Sequence, residues 1–221
     1  MAAKILADGE IRCRNDAGPL LCDVANQGAL WNNPDAHNYV RLYFRPRNSF
    51  HLKTEGIKRI GSQWRQDPHM SIPVMLVFDL ERVLTSAGAF FLPSNFAHAG
   101  AQPLNGDNAF AQLPFAKIYH DSSLPTSPAT RAEILDARMA EVVFDRPLPV
   151  DLLTTVVCRT SHELETLKSF VPAGAVARPM VVEQNGSIFM RREIYVDEIY
   201  TKAGHIYLGL TNWSGADPKV T

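Results

Sequence analysis

The chain has 221 residues, 46% of them hydrophobic and 20% charged, with a formal net charge of −1. These values exclude an intrinsically disordered chain and a global basic field able to hold duplex DNA non-specifically. The length suits one domain, and any contact with nucleic acid would be local or aimed at single strands through stacking.

Cys13, Cys22 and Cys158 form no CxxC pair, which argues against a disulfide framework or structural zinc and for a reducing cytoplasm. The apolar residues after Met1 stop at Asp8-Gly9, too soon for a signal peptide. No apolar run has the length of a membrane span.

In chain order, Ala2 to Asp8 reads as the last turns of a helix stopped by Gly9, and 10–38 as irregular structure. Tyr39-Val-Arg-Leu-Tyr-Phe-Arg45 alternates, with Val40, Leu42 and Phe44 on one face, the pattern of a half-buried strand. Pro46 ends it, a turn follows, and Phe50 to Ile57 forms a short helix. Ile72 to Phe78 is a continuous apolar run expected as a central strand, with Asp79 capping a helix to Leu84. Residues 86–130 are rich in Gly, Pro, Ser and Asn and read as a functional loop region.

Further on, Met139 to Asp145 alternates again, with Ala140, Val142 and Phe144 on one face and Met139, Glu141 and Val143 on the other. Thr154 to Cys158 is a strand. Thr160 and Glu163 form a capping box for a helix to Phe170, the better account of the superficially triad-like Ser161-His162-Glu163. Asn185-Gly186 predicts a hairpin between Met180–Glu183 and Ser187–Met190, and Arg192 to Tyr200 continues as strand. The sum is a strand-dominated α+β domain with short helices.

Two places carry unusual chemistry. Tyr39 to Asn48 delivers Arg45 and Arg47 with two tyrosines to a proline turn. Those guanidinium groups suit a pyrophosphate and the rings suit a flat base; a strand with a solvated basic face is the plain alternative. Arg138-Met-Ala-Glu-Val-Val-Phe144 places one carboxylate in an apolar strand, which on pattern alone also fits a solvent-facing glutamate.

Taken together, the string from Tyr39 to Asn48, the run from Ile72 to Leu84, Ile118-Tyr-His-Asp121 and Arg138-Met-Ala-Glu-Val-Val143 resembles the DarT family of DNA ADP-ribosyltransferase toxins in order and spacing, from about residue 2 to 200. The resemblance implies a compact ADP-ribosyltransferase fold, a split β-sheet cleft with short helices, in a single domain over 1–221. It implies NAD as co-substrate and transfer of ADP-ribose to a base of single-stranded DNA. The expected target leans to guanine over thymine, on the wording of Thr54-Glu-Gly-Ile57 and the 72–79 run.

By position, Glu141 and Arg47 are the implied catalytic residues. Tyr43, Arg47, Asn48 and His120 are expected to contact NAD, and Arg131 and Arg138 to contact nucleic acid. For His120 a turn histidine bonded to Asp121 is an equal alternative; Arg131 and Arg138 fit ordinary surface arginines as well. No metal is expected. The family partner is an antitoxin that removes the mark, a macrodomain or a NADAR-type ADP-ribosyl hydrolase. One departure stands out. Family members open with a strand bearing a histidine that helps hold NAD, whereas Met1 here falls inside the helix that follows it.

A carboxylate on a rigid strand suits an oxocarbenium-like transition state. The alternation carries Glu141 into the cleft rather than the core, so its replacement should scarcely disturb folding, with Glu133 and Glu163 as neutral controls. Alternative functions are an ADP-ribosyltransferase of RNA or protein, and a catalytically impaired module that binds nucleic acid.

Overall fold

The computed structural model describes residues 1–19, 32–59, 61, 69–175 and 177–212; Cys22 lies outside them. Helix α1 (Ala2–Asp8) ends where Gly9 turns left-handed at φ 77° and its N–H donates to the Ile5 carbonyl. Strand β1 (Glu10–Ile11) and a 3₁₀ turn (Pro34–Asn38) lead to β2 (Val40–Tyr43), α2 (Ser49–Thr54), β3 (Val74–Phe78) and α3 (Leu80–Leu84). Asp79 caps α3 by accepting from the Arg82 N–H, as its position before the helix predicts. Then come β4 (Ala89–Leu92), α4 (Asp107–Ala111), α5 (Phe115–Ile118), α6 (Pro128–Ala137), β5 (Glu141–Phe144), β6 (Leu148–Pro149) and β7 (Leu153–Cys158). The described chain closes with α7 (Ser161–Phe170), β8 (Met180–Val182), β9 (Tyr195–Lys202) and β10 (His205–Thr211).

Two separate three-stranded sheets carry the fold. One has the order β2-β5-β4 and is antiparallel throughout; the other has the order β3-β7-β8, with β8 parallel to β7. Val40, Val142, Phe144 and Phe91 cover one face of the first sheet and pack with Ile118 and Leu148. Leu92, Val143 and Phe96 form a smaller cluster on the opposite face. A third cluster joins Leu6 of α1, Val156 and Cys158 of β7, and Leu164 and Leu167 of α7. The α+β class and the split sheet agree with the sequence. Among the described residues no helix is long and apolar enough to cross a membrane.

Three expectations need correction. The 72–78 run is an edge strand, because β7 takes the middle of its sheet. The 86–130 stretch is not a bare loop: it contains β4, α4 and α5, and starts α6. The four apolar residues of β4 are too few to show a period. The Asn185-Gly186 hairpin does not form. There the Glu183 carboxylate accepts from the backbone N–H groups of Ile188 and Phe189, donors that a second strand would have used. The hairpin forms instead between β9 and β10. Its turn residues Ala203 and Gly204 sit at φ 50° and 78°, the handedness that matches strand twist.

Candidate active site

Register decides what meets on the first sheet. Tyr43 lies opposite Glu141, and Arg41 opposite Val143, so these four share the face turned away from the larger core. Arg41 forks onto Glu141, Nε to Oε2 at 2.8 Å and Nη2 to Oε1 at 2.6 Å. The same Nη2 donates to Asn95 Oδ1 at 2.8 Å, which also accepts from the Ala97 N–H at 2.8 Å. Glu141 has 0% of its side chain exposed and Arg41 26%.

Burial raises the pKa of Glu141; the Arg41 guanidinium, the Phe96 backbone N–H and the charge of His98 offset part of that rise. Tyr43 is half-buried, and burial, then the Glu141 charge, push its hydroxyl upward. The expectation of a cleft-facing glutamate with little part in packing is therefore corrected. Strand β5 is the middle strand, all four of its residues are buried, and the segment after β4 closes over the Glu141 end.

The turn after β2 is built by Asn48. Its Oδ1 accepts from the His51 N–H at 3.0 Å, capping α2, while its Nδ2 donates to the Arg45 carbonyl at 3.4 Å. Asn48 is buried, so it shapes the turn that presents Arg47. Arg47 is half-buried, and its Nη1 makes one long bond of 3.4 Å to the Gly186 carbonyl.

Arg45 turns the other way. It donates to the carbonyls of Ile118 and His120 at 2.9 and 3.2 Å and pairs with Asp121 at 2.7 Å. Arg45 holds the Asp121 carboxyl below the usual carboxylate range, with Arg138 and Arg47 adding to the effect. Arg138 donates to the His120 carbonyl and lies 3.3 Å from its Nδ1. His120 Nε2 meets Ser122 Oγ at 3.0 Å. Asp121 therefore partners Arg45 and not His120. Arg138 is committed to the His120 turn, and Arg131 stands exposed on α6.

The structure thus brings Tyr43 and Glu141 together on one face, and groups Arg47, His120 and Arg138 around Asp121. Sequence reasoning missed Arg41 and Asn95. Strand alternation puts Arg41 on the face of Tyr43 and Arg45, but its partner lies 100 residues away, and nothing in the sequence marks Asn95. Among the described residues no group of His, Cys, Asp or Glu is arranged to hold a metal ion.

The fold is a split pair of three-stranded sheets. Solved structures share it. Thermus sp. 2.9 DarT in complex with NAD+ has 18% sequence identity and a TM-score of 0.60, over 82% of this chain and 89% of that one. Thermus sp. 2.9 DarT in complex with ADP-ribosylated ssDNA has 17% identity and a TM-score of 0.63, over 82% and 88%. Thermosipho africanus DarTG in complex with ADP-ribose has 11% identity and a TM-score of 0.60, over 90% of this chain and 50% of that one. No curated protein matches the sequence. Residues 19–190 match the family described as ssDNA thymidine ADP-ribosyltransferase, DarT, and the chain belongs to that family of enzymes.

Proposed function

We propose that the chain moves ADP-ribose from NAD+ to a thymine of single-stranded DNA, with Glu141 as the catalytic carboxylate. The observation that carries this reading is the Arg41-paired carboxylate of Glu141, held on the middle strand of one half of a split sheet. The solved relative bound to NAD+ supports the donor. The family description and the relative bound to ADP-ribosylated ssDNA support the acceptor. The family description names thymidine, which supports thymine over the guanine that two short stretches of sequence favoured.

In this mechanism the glycosidic bond between ribose and nicotinamide breaks, and nicotinamide leaves with the bonding electrons as a neutral molecule. The ribose gains oxocarbenium character, which Glu141 stabilises. A base nitrogen attacks the anomeric carbon and loses its proton, with Glu141 as the acceptor within reach. Arg47 forks onto the pyrophosphate; the length of its bond to Gly186 leaves its donors open to a stronger partner. Tyr43 and His120 border the donor, and Asn48 acts through the Arg47 turn. Arg131 is the open cation for DNA phosphate, and Arg138 serves by holding the His120 turn. A substrate approaches Glu141 from the flank where Arg41 is partly exposed. The DarTG relative supports an antitoxin partner, for which a macrodomain or NADAR-type hydrolase that removes the mark is proposed.

The test supplies labelled NAD+ with single-stranded oligonucleotides whose only candidate base is T or G, their matched duplexes, RNA, and lysate protein. Label is expected on the T-containing single strand. A base inside a duplex must be flipped out at a cost of a few kcal/mol, so equal labelling of duplex contradicts the single-strand requirement. Label confined to RNA or protein overturns the acceptor.

The 0% exposure of Glu141 favours a second reading, in which the Arg41–Glu141 pair is purely structural. The two readings part on whether removing the charge costs activity or only stability.

A further inference from the structure

We propose that Arg41 and Asn95 form a positioning pair that fixes the orientation and charge of Glu141 and ties it to the 95–101 segment. The proposal rests on Glu141 being the catalytic carboxylate. An ionised carboxylate offers about four acceptor sites. Arg41 occupies two through its fork, from Nε and Nη2. The remainder is left for the ribose of NAD+ and for the proton of the attacking base.

The guanidinium is fixed at both ends, because Nη2 is shared between Glu141 and Asn95. Asn95 is itself held, since its side-chain oxygen also takes the Ala97 N–H. The segment it belongs to is stitched from below by Asn33, whose Nδ2 donates to the carbonyls of Phe96, His98 and Ala101 at 2.9, 3.3 and 3.1 Å. Phe96 is buried and packs edge-on against Tyr39 at 5.2 Å. A shift of this segment would therefore move Asn95, and with it the Arg41 fork that holds Glu141. Lysine cannot replace Arg41, because an ammonium lacks the planar fork that grips Glu141 and Asn95 at once.

The groups facing Glu141 are Arg41 and Tyr43 from β2, and the Phe96 N–H and His98 from the segment after β4. His98 lies 3.4 Å from Asp136 of α6. Catalysis needs the ionised carboxylate, so activity falls as pH drops through the pKa of Glu141. Burial already places that value above the ordinary range, and losing the Arg41 charge raises it further.

The experiment measures transfer to a single-stranded oligonucleotide against pH for the parent, Arg41→Gln, Arg41→Lys, Asn95→Ala and Glu141→Gln, each checked for cooperative unfolding. Arg41→Gln is expected to move the acid limb up by about 1–3 pH units, the effect of removing a neighbouring opposite charge. Arg41→Lys keeps the charge and holds the limb near the parent position, yet lowers kcat about 10–100-fold, with a smaller change in KM for NAD+. Asn95→Ala lowers kcat without moving the limb. Parental limb and kcat in the Arg41 variants overturn the proposal, and Arg41→Lys decides alone if Arg41→Gln fails to fold. Parental activity in Glu141→Gln overturns the catalytic reading instead, so the two failures are distinguishable.

Discussion

Two buried arginine–glutamate assemblies sit in the two halves of the split sheet, and they differ in a way that separates architecture from chemistry. In the second sheet, Arg159 at the end of β7 is 1% exposed and Glu163 of α7 is 4% exposed. Arg159 binds Glu163 through Nε at 3.1 Å and through Nη2, reaches Glu55 at 3.4 Å and donates to the Ser71 carbonyl at 2.9 Å. Glu163 also takes the Arg159 backbone N–H at 3.2 Å. Glu55 collects the N–H groups of Met190 and Arg191 at 2.8 and 2.9 Å, and Arg191 returns to the Arg159 carbonyl and to Glu183. These arms are used within the protein, and they tie the 183–191 segment to α2 and α7.

In the first sheet the arginine is 26% exposed, while both oxygens of the buried carboxylate bond to it. Burial raises the pKa of Glu163 as it does that of Glu141, so a raised carboxylate does not by itself mark a reacting group. What distinguishes the proposed reacting carboxylate is an arginine partner that is 26% exposed.

The sharpest way to break the contrast is Glu163→Gln. Removing one member of a buried, hydrogen-bonded pair costs about 3–5 kcal/mol, so urea or thermal unfolding should show a large loss of stability. This corrects the use of Glu163 as a neutral control, since its burial was hidden behind a surface-type capping motif. Stability equal to the parent would mean that the second assembly is not the structural one.

A smaller effect falls at Arg47, at the rim between the halves. Arg47→Lys should lose kcat/KM at limiting NAD+ nearly as badly as Arg47→Ala, each by about 10–100-fold, or roughly 1.4–2.7 kcal/mol. Stability should hardly change, because the residue makes one long hydrogen bond. A lysine variant close to parental activity would show that Arg47 is not a bidentate donor ligand.

Much of the frame was legible because local signals agreed with tertiary packing. The alternation of Val40, Leu42 and Phe44, the Gly9 stop, the Asp79 cap and the Thr160 side-chain cap of α7 all stand in the structure. The Glu163 carboxylate turns to the backbone N–H and guanidinium of Arg159 instead of back to Thr160, which no local pattern carries. The Asn185-Gly186 signal failed because the Glu183 side chain supplied the backbone with a competing acceptor. Glu141 was singled out through its motif, while its burial was misjudged. Alternation places a residue on a face but does not say whether that face is covered, and the cover over Glu141 comes from the segment around Phe96. Arg41 and Asn95 escaped because their hydrogen bonds form only once 100 and 54 residues of intervening chain have folded.

The most direct measurement is the transfer rate of Glu141→Gln beside its unfolding curve, with Glu133→Gln as the control. Glu133 is an exposed partner of Lys117 on α5, and an exposed pair of this kind contributes about 0–1 kcal/mol, so its variant should match the parent in both. Glutamine at 141 keeps the shape and an acceptor for Arg41 but removes the charge that offsets the oxocarbenium ion. The rate should fall by about 10²–10³, with a loss of stability smaller than that of Glu163→Gln. Transfer at the parent rate, with or without a loss of stability, would contradict the account and leave the Arg41–Glu141 pair as structure alone.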